Sequence, residues 1–351
     1  MSTETASPFI LSTTRGIILQ RHKNQDRNNK VELKTMAVTN DCSPAVSHGC
    51  VVGGRQVPNE LIGELQDSSS VNDARELQRR LADDGYILLR GGLDKSEVLT
   101  AREEVFLRLI EVGEIKPPAI QGIATGQSRR RELVDDLIEF WRSVSEGSAL
   151  RQVSHGPRIR AAMQTVFGEP ARPQDYLWLR PRPVGWSTGL HYDHPFFARG
   201  SRKVHTVWIA LGDIPLIDGP LMLVEGSNQF LDLIQLLSDK DEESNSSPAA
   251  ANQAAFDGEW SQDAIAFVRQ RNTRFLTTEF FAGDVLVFDM KTIHGSLDNH
   301  SPIARTRLSC DVRYQPRSDP LDERYFGPNP TGASGRGYGD MNSCKPLTEV
   351  S

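Results

Sequence analysis

The sequence predicts a mainly β domain with flanking helices. After a Gly-Asp turn, a nearly continuous apolar strand begins at residue 285 and leads to a histidine at 294, and residues 305–314 alternate in the manner of a second strand. Helical periodicity appears instead at residues 74–84 and 95–112, each preceded by an aspartate that can cap a helix. A chain of 351 residues is long enough to fold such a domain around a buried core.

Further helices are expected between the strands. Helical patterns fit residues 130–145 and 158–167. Two more, at residues 231–237 and 262–270, fall within an insertion between core strands at about residues 229–272. This insertion could lie over the open end of the strands as a lid.

Composition divides the chain into three regions. Residues 1–70 are polar, rich in Ser and Asn and without clear periodicity, which predicts a disordered leader. The folded domain is expected at residues 71–316, and a Gly/Pro-rich tail at 317–351 could fold over its mouth or stay loose. An Arg-rich, acid-poor stretch after residue 14 leaves an organellar leader open, and with it whether residues 1–35 belong to the mature protein.

The overall charge argues against several classes of partner. Lysine and arginine number 40 against 46 aspartates and glutamates, a net charge of −6, which gives no general affinity for nucleic acid or anionic membranes. No apolar run approaches the roughly 18 residues that a membrane helix requires. The four cysteines show no metal-binding spacing, so reduced thiols and a cytoplasmic location are favoured.

A His-Tyr-Asp triplet is the first candidate for chemistry. If this segment is a strand, His191 and Asp193 point to one face and can reach one ion. Such a pair alone also suits a surface turn or a capping aspartate. His294, beside the predicted apolar strand, favours the metal. Two imidazoles and one carboxylate suit a non-heme Fe(II) oxygenase, because its remaining coordination positions take a co-substrate and O₂.

Two arginines lie at the start of the strand that follows His294. Arg305, Arg307 and Ser309 share one face of this strand. A guanidinium that points into a barrel keeps its charge and needs an anionic partner, because an unpaired buried charge is very costly. A dicarboxylate co-substrate would supply that anion.

Several motifs together resemble the phytanoyl-CoA dioxygenase family of Fe(II)/2-oxoglutarate oxygenases. They are the Gly-Leu-His-Tyr-Asp-His run at residues 189–194, the strands and turn at 207–228, the Gly-Asp turn and apolar strand that lead to His294-Gly-Ser, and Arg305. Residues 77–91 are similar to the family's entry helix and first core strand. The resemblance covers about residues 70–316.

The resemblance implies a double-stranded β-helix, a cupin-like jelly-roll of two facing sheets that holds the metal at one open end. It implies that His191, Asp193 and His294 bind the iron and carry the catalysis. Arg305 would bind the distal carboxylate of 2-oxoglutarate, and Arg307, which faces the same way, is the alternative.

The family pattern also brings Ser296 and Trp208 into contact with 2-oxoglutarate. Each has a plainer interpretation: Ser296 could be a turn residue, and Trp208 could be a core aromatic on a strand that is apolar on both faces.

The implied reaction hydroxylates a small or medium organic substrate, consumes O₂ and converts 2-oxoglutarate to succinate and CO₂. Asp193 favours hydroxylation over halogenation, because related halogenases place a small residue at that position and let chloride bind the metal. Two alternatives stay open. One is a cupin-type metalloenzyme that does not use 2-oxoglutarate and would not need Arg305; the other is a catalytically silent binding or sensor protein. The substrate and the oligomeric state are beyond the sequence.

Overall fold

The computed structural model describes residues 49–242 and 263–339. Its strands range from two-residue segments near the amino-terminal end to long strands in the core. In chain order they are β1 (Val51–Val52), β2 (Arg55–Gln56), β3 (Ile62–Glu64), β4 (Tyr86–Leu89), β5 (Ile115–Lys116), β6 (Ile123–Ala124), β7 (Ala171–Arg182), β8 (His205–Ala210), β9 (Leu221–Val224), β10 (Phe275–Thr277), β11 (Val285–Asp289), β12 (His294–Ser296) and β13 (Arg307–Pro316).

Helices fill the connections between these strands. The α-helices in chain order are α1 (Ala74–Asp84), α2 (Lys95–Glu111), α3 (Arg130–Leu133), α4 (Leu137–Ser145), α5 (Ser148–His155), α6 (Pro157–Phe167), α7 (His194–Phe197), α8 (Leu231–Glu242) and α9 (Ala264–Gln270). Short 3₁₀ turns span Asn59–Leu61, Ala119–Gln121, Leu216–Asp218, Ser227–Gln229 and Glu323–Tyr325.

Two sheets form the core. One has five antiparallel strands in the order β4-β11-β8-β13-β7, and the other has four in the order β12-β9-β10-β3, in which β10 and β3 run parallel. One cluster of buried side chains contains Trp208 and Leu286 from the first sheet and Leu223 and Leu276 from the second, so the sheets face each other. This arrangement confirms the predicted double-stranded β-helix.

Helices cover the outer face of the five-stranded sheet. Strand alternation turns Val207 and Val285 toward them, into a buried cluster with Leu77 of α1, Val98 of α2 and Trp141 of α4. The alternate residues of the same strands face the other sheet. Because the sheet is buried on both faces, polar side chains on its inner face need partners inside the barrel.

The helices lie close to their predicted limits, with one break. Helix α1 begins and ends where the periodicity predicts, and α2 ends one residue early, at Glu111. The single helix expected at residues 130–145 is two helices, α3 and α4. Asp136 separates them, because its side chain accepts hydrogen bonds from the amides of Ile138 and Glu139 and so caps a new helix.

The folded domain begins earlier than the sequence predicts. Strands β1 and β2 form a hairpin, and β3 pairs with β10, with Ile62 opposite Phe275. Leu65 joins the core between the sheets. Residues 49–70 therefore belong to the domain, which corrects the expected leader of 70 residues, while residues 1–48 lie outside the described part. Strands of two or three residues are too short to give a periodic pattern.

Part of the expected carboxy-terminal tail packs onto the domain. Tyr338 stacks on Tyr176 with ring centroids 4.8 Å apart, and Tyr325 is fully buried beside them. The rest of the tail, from residue 340, and residues 243–262 of the expected insertion lie outside the described residues. Within the described ranges no helix combines the length and the apolar character needed to cross a membrane.

Candidate metal centre

His191 and His294 are held side by side by their own backbones. The N–H of each donates to the carbonyl oxygen of the other, at 3.0 and 3.1 Å. This bridge joins the segment that follows β7 to β12 and places the two imidazole centroids 4.2 Å apart.

Asp193 reaches the same place from the start of a helix. The chain turns into α7 directly after it, and Asp193 has helical backbone angles, φ −79° and ψ −21°. The regular strand on which the sequence argument rested therefore does not extend to Asp193. The expected convergence holds all the same, because the side chain of Asp193 faces both imidazoles. Tyr192 packs elsewhere, in a separate buried cluster.

One ligand atom from each of the three residues lies within 4.8 Å of the other two. Nε2 of His191 and Nε2 of His294 are each 3.9 Å from Oδ1 of Asp193. Each Nδ1 is placed to donate to a carbonyl oxygen, that of Gly189 at 2.9 Å and that of Thr292 at 3.0 Å. These bonds orient the rings and leave Nε2 for an ion. The donor set and its spacing fit a metal bound by two histidines and one carboxylate.

Electrostatics favour the forms of these side chains that bind metals. Burial, and then the charge of His294, lower the pKa of His191 to about 3, and burial also lowers the pKa of His294, so both imidazoles are neutral at pH 7. Burial alone would raise the pKa of Asp193. The charge of Arg313 and a hydrogen bond from Thr206 hold that pKa below its usual range. Asp193 is therefore ionised.

Sequence analysis missed the two residues that hold Asp193. Arg313 on β13 donates from Nη2 to both carboxylate oxygens of Asp193, at 3.0 and 3.2 Å, and the hydroxyl of Thr206 on β8 donates to Oδ2. Strand parity could have pointed to Arg313. It has the same parity as Arg305 and Arg307, which predicts the same inward face.

A narrow cavity lies beside His191 and His294. Ser296, Trp208 and Arg307 lie in its wall, so the structure brings three of the sequence candidates for co-substrate binding together with two of the candidate ligands. Trp208 also packs on the aromatic core behind the cavity. The other wall residues are Arg180, Thr188, Leu221, Gly295 and Asp311.

Arg305 lies outside this wall, which corrects the expectation that it faces the metal site. Its side chain is 30% exposed, and Nη1 is 3.2 Å from Oδ2 of the buried Asp218. The anion that this guanidinium needs is thus supplied by the protein itself.

Arg307 is the arginine that the structure brings to the cavity. It is 3% exposed, and it donates from Nε to the Gly219 carbonyl at 3.2 Å and from Nη1 to the Ser309 hydroxyl at 2.8 Å. No ion pair joins it to a carboxylate of the described residues. Burial, and then the charges of Arg182 and Arg180, lower the pKa of Arg307 to about 9. It remains a cation at pH 7, held by neutral acceptors.

The family model for phytanoyl-CoA dioxygenase matches residues 81–307, more than half of the chain. The chain belongs to the phytanoyl-CoA dioxygenase family. Membership confirms the resemblance inferred from the motifs. Together with the His191, Asp193 and His294 cluster, it identifies the protein as an oxygenase of the iron- and 2-oxoglutarate-dependent type.

Two curated relatives cover nearly the same length of chain. Both are 1-deoxypentalenic acid 11-beta-hydroxylases. The one from Streptomyces arenae is 25% identical over 292 residues, which is 81% of this chain and 96% of the relative. The one from Streptomyces exfoliatus is 24% identical with the same coverage.

Similar solved structures include two proteins from nogalamycin biosynthesis. The epimerase SnoN in complex with Fe³⁺, alpha-ketoglutarate and nogalamycin RO has a TM-score of 0.46 and 20% identity, over 70% of this chain and 84% of that one. The carbocyclase SnoK has a TM-score of 0.46 and 18% identity, over 82% of this chain and 97% of that one.

Proposed function

We propose that this protein is an Fe(II)- and 2-oxoglutarate-dependent hydroxylase of a small or medium organic substrate. One observation carries the proposal: the candidate ligands His191 and His294 and the buried cation of Arg307 line one cavity, and Asp193 lies within 4.8 Å of both histidines. The candidate metal ligands and a cation suited to a carboxylate therefore lie at one site.

Arg307 is the proposed partner of the distal carboxylate of 2-oxoglutarate. A guanidinium forms strong, charge-assisted hydrogen bonds to a carboxylate and fixes its orientation. Ser296 and Trp208 lie in the same wall. Ser296 would contact the co-substrate through its hydroxyl and Trp208 through its ring.

His191, Asp193 and His294 would hold the iron. With 2-oxoglutarate and O₂, bound Fe(II) would supply the oxidising chemistry that places one oxygen atom in succinate and the other in the product. Hydroxylation is supported by Asp193, whose carboxylate stands where a halide would have to bind. It is also supported by the two curated relatives, both named as hydroxylases.

A cupin-type metalloenzyme that does not use 2-oxoglutarate is the alternative enzyme. It would share the three ligands, but it would leave Arg307 buried without an anion, at a considerable electrostatic cost. A catalytically silent binding protein is disfavoured because all three candidate ligands are present and lie together, beside a buried arginine that can bind a co-substrate.

Turnover under ¹⁸O₂ tests the reaction. Fe(II)-loaded protein is supplied with 2-oxoglutarate and a panel of small organic molecules, with metal-free protein as the control. We expect one succinate for each hydroxylated product and one ¹⁸O atom in that product. A halogenated product would contradict hydroxylation, and succinate formed at the same rate without Fe(II) would contradict the iron site.

A further inference from the structure

The two carboxylate oxygens of Asp193 have different neighbours. Oδ1 lies 3.9 Å from Nε2 of both His191 and His294. Oδ2 accepts the hydroxyl hydrogen bond of Thr206 and the shorter of the two bonds from Arg313, at 3.0 Å against 3.2 Å to Oδ1. Oδ1 thus faces the space between the imidazoles, whereas Oδ2 makes the two closer contacts with the protein.

Arg313 is itself fixed in place. It is 2% exposed, and its guanidinium lies over the Phe197 ring at 4.3 Å from the centroid. Phe197 belongs to α7, the helix that begins directly after Asp193. Asp311, on the same strand, lies 3.8 Å from Nη1 of Arg313. A buried cation that packs on a ring and lies beside two carboxylates cannot move away without losing these contacts.

We infer that Arg313 and Thr206 are positioning residues that occupy Oδ2, so that Asp193 gives a single oxygen to the metal. The inference rests on the proposed metal centre. A carboxylate can bind a metal through one or both oxygens. In an octahedral site, two histidines and one carboxylate oxygen leave roughly three positions, whereas a carboxylate that binds through both oxygens leaves roughly two.

That difference matters for the proposed reaction. A 2-oxo acid that binds through two oxygens and an O₂ molecule need three positions together. Presentation of one oxygen by Asp193 keeps the third position open. The binding of Oδ2 by Arg313 and Thr206 would therefore set how many ligands the metal can take from solution.

The number of water molecules on bound Mn(II) tests this inference without 2-oxoglutarate. Mn(II) accepts the same oxygen and nitrogen ligands, and the relaxation rate of water protons reports its coordinated waters. We expect roughly three waters in the unaltered protein and roughly two in Arg313→Met. Arg313→Lys, which restores the charge, is expected to return the count toward three.

Arg130→Met is the matched control. Arg130 is also buried, pairs with Glu114 at 2.7 Å and lies over the Trp141 ring at 4.4 Å, but it belongs to the helical layer. Arg130→Met, like Arg313→Met, removes a buried guanidinium, but it is expected to keep roughly three waters on Mn(II). A decrease equal to that in Arg313→Met would show a general effect of destabilisation and would overturn the inference.

If Arg313→Met does not fold, Thr206→Val still tests the inference, because it removes one hydrogen bond and preserves side-chain shape. The number of waters on Mn(II) in Thr206→Val is expected to lie between the numbers in the unaltered protein and in Arg313→Met. An unchanged count in Thr206→Val and in any folded Arg313→Met would overturn the inference, and so would loss of Mn(II) from a folded variant. Roughly three waters in the unaltered protein without 2-oxoglutarate turnover would instead contradict the proposed function alone.

Discussion

Two buried ion pairs of the same chemical type lie in different regions of the molecule. Arg313 and Asp193 meet inside the barrel at 3.0 Å, and Arg130 and Glu114 meet in the helical layer at 2.7 Å. All four side chains are almost completely buried. Each guanidinium also lies over an aromatic ring.

The two ion pairs differ in the residues that surround the carboxylates of Glu114 and Asp193. Glu114 accepts a hydrogen bond from Arg130 and another from Ser128, and burial nevertheless raises its pKa. Asp193 likewise accepts hydrogen bonds from Arg313 and Thr206. Its Oδ1 also faces two imidazoles, and its pKa is lowered. A buried Arg–carboxylate pair alone therefore indicates no function. The two histidines beside Asp193 do indicate a function, because with the carboxylate they form a set of metal donors.

Asp193→Ala against Glu114→Ala is expected to give the largest difference. Each leaves a buried guanidinium without its nearest carboxylate, so each should lower the free energy of unfolding by about 3–5 kcal/mol. Only Asp193→Ala removes a ligand. Since losing a residue that merely supports a ligand costs 10- to 100-fold in affinity, we expect metal affinity to fall by more than about 100-fold. Equilibrium dialysis of the folded variants measures it, and equal metal affinity in the two would remove Asp193 from the ligand set.

Arg307→Ala against Arg305→Ala is expected to give the next largest difference. Arg307 is proposed to bind the distal carboxylate of 2-oxoglutarate, and losing such a bond costs about 1.5–3 kcal/mol, or roughly 10- to 150-fold in affinity. Arg305 is paired with Asp218 outside the cavity wall, so its removal should change the affinity less than about threefold. Calorimetric titration of the metal-loaded proteins measures both. The opposite ranking would place Arg305, as first expected from sequence, at the co-substrate.

His155 is expected to give a smaller effect, on the pH dependence of the free energy of unfolding. It lies in α5, where burial, and then the charge of Arg151, lower its pKa to about 3. The unfolded chain binds a proton near pH 6.5 that the folded chain does not, so unfolding becomes easier as the pH falls below that value. Between pH 7 and pH 5 this histidine should remove up to about 2 kcal/mol of stability. Denaturant titrations of metal-free protein should show a smaller loss in His155→Gln, and equal losses would contradict the buried neutral state.

The sequence was sufficient to single out the three candidate ligands because each lies in a recognisable local pattern. His191 and Asp193 are two residues apart, and His294 follows a strand whose apolar run is plain in the sequence. The double-stranded β-helix followed from the family motifs, and the limits of most of the predicted helices followed from periodicity. Even there, Asp193 proved to lie at a helix start, where the chain reaches the same place by a different backbone path.

The choice between the two arginines depended on distant residues. Arg305 and Arg307 have the same parity on the same segment, so alternation cannot separate them. Asp218, in a turn before β9, separates them by pairing with Arg305. The partners of Asp193 on β8 and β13 depend in the same way on which strands are neighbours in the sheet. A single sequence predicts the face of a strand on which a side chain lies more readily than the residue that it contacts.

The visible absorption of the anaerobic protein reports directly whether a 2-oxo acid binds to Fe(II) at the proposed metal site. Fe(II) and 2-oxoglutarate are added together to the unaltered protein, to Asp193→Ala and to Glu114→Ala. We expect a weak charge-transfer band of a chelated 2-oxo acid in the unaltered protein and in Glu114→Ala, at one equivalent of iron, and no band in Asp193→Ala. Absence of the band in the unaltered protein, with iron fully bound, would contradict 2-oxoglutarate as the co-substrate. A band retained in Asp193→Ala would contradict the three-residue metal site.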